Sequence, residues 1–281
     1  MFNKPFLKWV GGKHRALSTI TQYINNGYRL YIPFAGSLAI FINTDFKEYV
    51  ISDTNPDLIA TYQTLVKHSE EFILYVASLF TDGNNTPNAY YAHREEFNRT
   101  QDVFRKSALF IYLNRHCFNG LCRYNSRGEF NSPFGLYPKP YFPAKEMRYF
   151  CERVMQCQSV TFTVCDYTTA LETVVAGDTV YCDPPALARS ETAHFANYHA
   201  VRFSVRDHER LAFMAYEMAS SGISVLITNH DVASARELYR HAQLDTYTLY
   251  TLVSARPESR IEVKELIAFF DSSLDKYYRH T

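Results

Sequence analysis

The sequence has no run of about 20 apolar residues that could cross a membrane. It opens with Met1-Phe2-Asn3-Lys4-Pro5, so polar residues and a proline stand where a secretory signal would have its apolar stretch. These absences argue against a membrane-spanning or secreted class, and we expect a cytoplasmic protein with no membrane partner. With 281 residues, the chain is long enough for one large domain or for a core domain that carries an insertion.

The cysteines also lack an informative pattern. None of the six forms a C-x-x-C pair or joins histidines at the spacing of zinc ligands, so we expect neither a metal site nor a disulfide framework. We expect most of them to be small buried residues in a reducing compartment. They are Cys117, Cys122, Cys151, Cys157, Cys165 and Cys182.

The chain has no excess of either charge, because 29 basic residues balance 29 acidic ones. The distribution is uneven, however: residues 99–148 hold nine basic and three acidic residues, an excess of six positive charges. Aromatic residues are interleaved with these bases, which is typical of a nucleic-acid surface. The solvated face of an ordinary insertion remains an alternative on charge alone. The aromatic residues are Phe118, Tyr124, Phe130, Phe134, Tyr137 and Tyr141.

The opening of the chain has the pattern of a nucleotide-binding α/β unit. Residues 28–32 predict a strand, which a glycine-containing turn joins to a helix at 38–42. Residues 49–52 predict a second strand that ends at Asp53, and Asp57 is expected to cap the helix after it. An acid about 20 residues past the first strand is where such folds bind a ribose diol.

Strand signals disappear between residues 56 and 145, where helical periodicity and long polar loops take over. We therefore predict a mostly helical inserted domain at 56–145 and a core domain formed by residues 1–55 and 146–281. The core is expected to hold a mostly parallel sheet with helices on both of its faces. Further strands are predicted at 160–164, 178–182, 223–228 and 263–270.

Two details of this second half are specific enough to check. A helix is predicted at 205–218, capped by Ser204 or Asp207. The strand at 263–270 is expected to be an edge or hairpin strand, paired with residues 247–253.

The most specific motif is Asp183-Pro184-Pro185, directly after a predicted buried strand. The lone pair of an exocyclic amine is delocalised into its ring and must be localised before it can attack an electrophile. A carboxylate and a backbone carbonyl that accept both amino hydrogens can do this, and tandem prolines fix that carbonyl in place. Taken alone, the motif is also compatible with a loop that merely ends a strand. Phe195 and Tyr198, which follow it, either close over a base or pack, and we expect packing.

Ordered blocks along the chain match one family. The blocks are residues 6–13, Asp53 with Asn55 and residues 57–58, residues 93–98, 114–115, 119–125 and 134–135, the D-P-P stretch, and residues 228–231. From about Phe6 to Phe270 the chain resembles the Dam-type DNA adenine-N6 methyltransferases, which methylate the adenine of GATC with S-adenosylmethionine. The resemblance implies a Rossmann-like α/β methyltransferase core with an inserted, mostly helical DNA-recognition domain.

The resemblance also implies which residues form the catalytic and cofactor sites. The catalytic positions are Asp183, Pro184, Pro185 and Ala186. A loop near the N-terminus, the first turn and two strand ends are expected to hold S-adenosylmethionine, the last two by its adenosine part. The corresponding residues are Trp9, Gly11, Gly12, Lys13, Phe34, Gly36, Asp53 and Asp166.

A further set of positions is expected to contact duplex DNA, with the target adenine swung out of the helix. Lys8 matches the lysine that approaches the first guanine, and Phe118 matches the aromatic residue that fills the space left by the adenine, beside Asn119. The positions that match readers of base edges are Arg94, Leu121, Arg123, Asn125 and Pro133, and the other expected contacts are Arg115, Tyr137 and Lys139. Leu136 and Pro138 stand where relatives usually have basic residues, so some phosphate contacts are expected to be missing.

Two departures from the family pattern affect chemistry. The catalytic motif of the family ends in a tyrosine that stacks on the flipped adenine, whereas this chain has Ala186. The first turn has Ile32 where the family has an acid and Leu38 where it has a second glycine, and the leucine side chain is expected to enter the cofactor space. We therefore expect S-adenosylmethionine to bind weakly or not at all.

From these losses, the sequence favours a GATC-binding protein that has lost catalysis and acts as a monomer on DNA in the nucleoid, shielding sites or regulating. An active enzyme, weak or altered, that methylates GATC is the alternative. A protein-protein module that has also lost DNA binding is a third reading.

Overall fold

Seven strands form one sheet in the computed structural model, which describes residues 2–24, 27–187, 203–252 and 260–271. The strands are β1 (Arg29–Ile32), β2 (Glu48–Asp53), β3 (Ser159–Val164), β4 (Thr179–Cys182), β5 (Ser224–His230), β6 (Gln243–Leu252) and β7 (Arg260–Phe270). They lie in the order β3-β2-β1-β4-β5-β7-β6. The first five are parallel, and β7 is antiparallel to both β5 and β6. This arrangement confirms the predicted Rossmann-like α/β fold.

The final hairpin decides between the two predicted positions of the strand at 263–270, which was expected to be an edge or a hairpin strand. Strands β6 and β7 pair, with Tyr247 opposite Glu265. β7 lies between β5 and β6, so β7 is the hairpin strand and β6 is the edge strand. Residues 266–270 of β7 are all buried, because an inner strand is covered on both faces.

The described ranges contain eight α-helices. They are α1 (Leu17–Ile20), α2 (Pro56–Ser78), α3 (Pro87–Arg99), α4 (Val103–His116), α5 (Ala144–Gln156), α6 (Tyr167–Ala170), α7 (Val205–Ser220) and α8 (Ala233–Leu238). The N-cap of α7 is Ser204, which forms a capping box with Asp207, as predicted. The prediction for α2 was wrong: Asn55 is its cap and accepts from the backbone N–H groups of Asp57 and Leu58.

Alternate residues of the strands pack against different helices. Leu30 and Tyr181 belong to a cluster that includes buried residues of α2, α4 and α5. Their neighbours Tyr31 and Val180 belong to a second cluster, with residues of α6, α7 and α8. Because successive side chains of a strand point to opposite faces, the sheet is covered on both sides, as predicted.

The segment after β1 differs from the prediction. Residues 38–42 were expected to form a helix, but only a 3-10 turn at Phe41–Asn43 is present. Gly36 and Leu38 have φ angles of 48° and 59°, in the left-handed region. A right-handed helix cannot pass through such residues, so the chain instead turns tightly toward β2.

The segment 56–145 contains α2, α3, α4 and the start of α5, and its described strand pairing is limited to two isolated bridges. Its buried side chains belong to the same cluster as those of the sheet, so the segment shares a core with the rest of the chain. Its independence as a domain remains a prediction. All six cysteines are free, and four of them are buried. Within the described ranges, no helix has the length and apolar character needed to cross a membrane.

Asn114 of α4 ties the N-terminal segment to the helix. Its side chain is fully buried, accepts from Lys8 N at 2.9 Å and donates to Lys8 O at 2.7 Å. We predict that Asn114→Ala lowers the free energy of unfolding by about 2–4 kcal/mol, since each buried group left unpaired costs about 1–3 kcal/mol. Urea denaturation measures this change.

The control is Gln63→Ala, which removes one hydrogen bond from an exposed side chain to Phe162 O. Its expected effect is within about 0.5 kcal/mol. Equal losses in both variants would contradict the role given to Asn114.

Candidate active site and nucleic-acid interface

The carboxyl ends of four parallel strands meet at one edge of the sheet. The chain continues from β1 toward β2 on one side, while β4 pairs with β1 on the other. In open α/β sheets a ligand crevice forms at such a switch point. Asp53 and His230 are the last residues of β2 and β5, and Gly36 and Asp183 lie in the segments that follow β1 and β4.

The turn after β1 packs closely against Trp9. A side-chain carbon at Gly36 would lie 3.1 Å from two atoms of the Trp9 ring, so only glycine fits this contact without displacement. The Gly36 N–H donates to Asp53 Oδ2 at 3.3 Å, and Tyr62 donates its hydroxyl proton to Gly36 O at 2.6 Å. The predicted cofactor residues Trp9, Gly36 and Asp53 are therefore neighbours.

Polar atoms near this turn are buried without a partner. In the described structure, Ser52 Oγ and Asn55 Nδ2 have no hydrogen-bond partner, although both residues are at most 3% exposed. Buried polar atoms are normally paired, so unpaired ones adjacent to a site require an explanation such as a missing ligand. Asp53 Oδ1 accepts from Asn55 N at 3.0 Å.

The remaining predicted cofactor residues are more dispersed. Gly11 and Gly12 lie in an exposed turn closed by Gly12 N donating to Trp9 O at 3.1 Å. Phe34 stacks on Tyr167 with ring centroids 5.7 Å apart. Asp166 is exposed and caps α6 by accepting from Thr168 N at 2.8 Å.

The two atypical residues of the first turn are both buried. Ile32 and Leu38 are each 2% exposed and belong to the core cluster that also contains residues of α2. A leucine at positive φ carries a strain of roughly 1–2 kcal/mol, which its burial in the core can offset. The expected intrusion of Leu38 into the cofactor space stays a prediction.

Strand β5 holds the D-P-P loop at three points. Thr228 Oγ1 donates to Asp183 Oδ1 at 2.8 Å, and Leu187 N donates to Asn229 Oδ1 at 2.9 Å. His230 Nδ1 lies 2.9 Å from Leu187 O, a bond in keeping with a structural histidine. The bonds to Asp183 and Leu187 anchor the loop at both ends. Between them, Pro184 is buried and Pro185 is exposed. Ala186 lies between these anchors and is partly exposed.

Asp183 is the acidic group of this loop, with a side chain 24% exposed. Burial raises its pKa above the usual range, and Lys13, with Nζ 3.1 Å from Asp183 Oδ1, opposes that shift. The carboxylate therefore binds protons more tightly than an exposed aspartate does. Phe195 and Tyr198 lie outside the described residues.

Sequence reasoning missed one member of the site. Glu265 of β7 is 5% exposed, and its Oε2 lies 3.1 Å from Lys13 Nζ. Burial lowers the pKa of Lys13, but the charges of Asp183 and Glu265 outweigh it and the net shift is upward. The available signal was an acid directly before the apolar run 266–270, in a strand that ends in the core.

Four predicted DNA contacts, Lys8, Phe118, Asn119 and Tyr137, lie close together. Phe118 is 53% exposed, and Asn119 has a left-handed φ of 52°. Asn119 N donates to the Tyr137 hydroxyl at 2.9 Å, and Lys8 Nζ lies 4.1 Å from the centre of the Tyr137 ring. Burial, and to a smaller extent Arg115, lowers the pKa of Lys8.

The base-reading positions are also ordered by internal bonds. Arg94 Nη1 donates to Ser132 O at 3.1 Å, and Arg123 Nε donates to Asn131 Oδ1 at 2.7 Å. Asn125 Nδ2 donates to Glu129 Oε2 at 2.8 Å. Both arginines thus hold the segment around 131–132, next to the exposed Pro133 and the partly exposed Leu121.

Arg115 and Lys139 lie in different surroundings from this group. Arg115 is 7% exposed and donates from Nη2 to Phe6 O at 2.5 Å, with its guanidinium 5.5 Å from the centre of the Tyr141 ring. This buried side chain holds the N-terminal segment at Phe6, and its expected contact with DNA stays a prediction. Lys139 is exposed.

The positive excess of residues 99–148 is partly compensated in space. Four of its basic side chains pair with acids, all of which precede this stretch in the sequence. The pairs are Arg99–Glu95, Arg105–Glu96, Lys106–Asp57 and Arg148–Glu70, at 2.5–2.8 Å. The charge available to DNA is therefore smaller than the sequence count indicated.

Comparison with known proteins identifies the family. Residues 9–255 match the family described as D12 class N6 adenine-specific DNA methyltransferase. The DNA adenine methylase of Serratia marcescens is 41% identical over 269 residues, covering 95% of this chain and 98% of the relative. That of Escherichia coli (strain K12) is 41% identical, covering 95% of each chain, and that of Vibrio cholerae is 39% identical, covering 96% and 97%. The chain therefore belongs to the Dam-type family of D12 class N6 adenine-specific DNA methyltransferases.

Proposed function

We propose that this chain is an active S-adenosylmethionine-dependent methyltransferase that transfers a methyl group to the N6 atom of adenine in duplex GATC. The observation that carries the proposal is the position of Asp183 at the switch point, where Thr228 and Lys13 both bond its Oδ1. Relatives of nearly equal length are named DNA adenine methylases, which favours catalysis over the loss of activity that the sequence suggested.

The first turn supports binding of the cofactor. Trp9 against Gly36 forms a surface that a larger residue would disrupt, and Asp53 ends β2, where an acid binds a ribose diol in such folds. The unpaired Ser52 Oγ and Asn55 Nδ2 would find partners in a polar ligand. When bound there, S-adenosylmethionine supplies an electrophilic methyl group.

The D-P-P loop supplies the activation of the amine. The Asp183 carboxylate and the Pro184 carbonyl accept the two amino hydrogens and localise the nitrogen lone pair toward the methyl group. The bonds from β5 to Asp183 and Leu187 keep both acceptors fixed, so less reorganisation is needed during reaction. Lys13 keeps the carboxylate ionised.

The surface around Phe118 and Tyr137 supports recognition of DNA. An exposed aromatic ring beside a left-handed Asn119 is suited to enter the space of an extruded base. Arg94 and Arg123 are held by the segment around 131–132, and either can present its remaining guanidinium protons to a guanine edge. We infer that Arg115 acts from below this surface by positioning Phe6.

Ala186 favours a second candidate function, a GATC-binding protein without catalysis. Its methyl group leaves no ring to stack on the adenine, and base–aromatic stacking contributes roughly 1–3 kcal/mol. In this candidate the protein keeps its DNA-binding surface, and the GATC sites that it occupies are shielded from methylation.

Transfer of a labelled methyl group to a GATC duplex separates the two candidates. We expect measurable transfer by the purified chain, none by Asp183→Asn, and a kcat/KM roughly tenfold to a hundredfold higher for Ala186→Tyr, because a new stack lowers the barrier by roughly 1–3 kcal/mol. Ala186→Leu adds bulk without a ring and is expected to give no such gain. Duplex binding without any transfer by the natural chain would establish the second candidate instead.

The raised pKa of Asp183 predicts a pH dependence. The carboxylate must be ionised to accept an amino hydrogen, so kcat/KM should fall as pH decreases, and the fall should begin at a higher pH than for an ordinary aspartate of pKa 3.8. Measurements of kcat/KM across pH give this acidic limb of the profile, and circular dichroism verifies that the protein stays folded. Asp45→Asn, at a side chain 96% exposed, is the control and should leave the limb unchanged. A profile that is flat down to the pH of unfolding would argue against this role of Asp183.

Leu136 predicts a change in salt dependence. It is 76% exposed beside Tyr137, where relatives usually have a basic residue. Leu136→Arg should add about one phosphate contact and steepen the slope of log Kobs against log salt by about one. Leu74→Arg on α2, at 61% exposure, adds the same charge outside the predicted DNA surface and should change the slope little. An equal steepening in both variants would mean that the effect is not local.

A further inference from the structure

A buried lysine lies between two carboxylates, one in the D-P-P loop and one on β7. Lys13 Nζ is 3.1 Å from Asp183 Oδ1 and 3.1 Å from Glu265 Oε2. The side chains of Lys13 and Glu265 are 10% and 7% exposed. Two acids thus share one ammonium group in a region of little solvent, where charge interactions are strong.

Glu265 occupies a position where an acid is costly. It is followed in β7 by Leu266, Ile267 and Ala268, all of which are fully buried. An isolated buried carboxylate is strongly unfavourable unless it is paired. Its pairing with Lys13 resolves this cost, and it brings a second negative charge to the catalytic aspartate.

The surroundings of the two carboxylates come from every element packed against them. On β5, Thr228 bonds Asp183, and His230 Nε2 lies 3.6 Å from Glu265 Oε1. On β4, the Tyr181 hydroxyl lies 3.1 Å from Thr228 Oγ1, and Cys182 precedes Asp183. On β6, Tyr247 stands opposite Glu265 in the register. Lys13 is the cation that contacts both carboxylates directly.

We propose that Glu265 is a positioning residue of the methyltransferase site, which acts on Asp183 through Lys13. The inference rests on the proposed function. The Glu265 carboxylate holds the Lys13 ammonium group in place and neutralises part of its positive charge. The attraction of Lys13 for Asp183 is thereby limited, and Asp183 stays a strong acceptor for the amino hydrogens of the substrate. Without Glu265, Lys13 would pair with Asp183 alone and compete with the amine for the carboxylate.

This arrangement predicts opposite effects for two substitutions. Loss of the Glu265 charge in Glu265→Gln should lower the pKa of Asp183, because Lys13 then acts on it undivided. Loss of the lysine in Lys13→Met should raise that pKa. A carbon-13 NMR titration of aspartate carboxyl groups in the full chain, with the Asp183 signal assigned by Asp183→Asn, measures both without requiring activity.

Kinetics provide the second readout. In Glu265→Gln, kcat should fall several-fold with an unchanged KM for GATC duplex, and the acidic limb of kcat/KM should move to lower pH. Glu262→Gln, at an exposed glutamate of the same strand, is the matched control and should alter neither measurement. Glu265→Asp is the substitute if Glu265→Gln does not fold. It keeps the charge on a shorter side chain and should give the same changes in smaller size.

The outcomes separate the inference from the proposed function. If the titration behaves as stated but the natural chain transfers no methyl group, the proposed function fails while the electrostatic link between Glu265 and Asp183 stands. An Asp183 pKa that is unchanged in both Glu265 variants, or raised as in Lys13→Met, overturns the inference. So does an altered KM with unchanged kcat, which would indicate a purely structural role.

Discussion

The N-terminal segment from Phe6 to Lys13 is the constraint on which both halves of the site depend. Asn114 and Arg115 of α4 hold its backbone at Lys8 and Phe6. The ring of Trp9 packs on the first turn, and Lys13 pairs with Asp183. A single stretch of chain therefore contacts α4, the turn after β1 and the D-P-P loop.

The segment 56–145 shares a core with the sheet. Under the proposed function, free movement of this segment relative to the D-P-P loop would let an extruded base reach the site in many geometries. Packing of α2 and α4 into the same cluster as β1 and β2 removes that freedom. Precise placement of the amine matters, because misplacement by about 1 Å can reduce a rate by a hundredfold.

The sequence predicted the strands and the position of Asp183 after a buried strand well, because both depend on local patterns. Apolar runs and strand-ending acids are visible in a few consecutive residues. It failed for residues 38–42, where left-handed backbone at Leu38 outweighs an apolar pattern that suits a helix. It also missed Glu265, whose partner Lys13 is 252 residues away in the chain. A sequence pattern carries no signal for a pair of that separation unless the buried acid itself is taken as unusual.

The count of basic residues along the chain overstates the positive charge at the surface of the folded protein. Counted along the chain, residues 99–148 are strongly basic, but four of their cations are paired with acids from α2 and α3. Such pairs add little stability at the surface, where an ion pair contributes about 0–1 kcal/mol. Their effect here is to confine unpaired positive charge. The cations at Lys8, Arg94 and Arg123 lie near exposed Phe118 or Pro133. Under the proposed function, the remaining positive charge is therefore concentrated at the surface that would read bases.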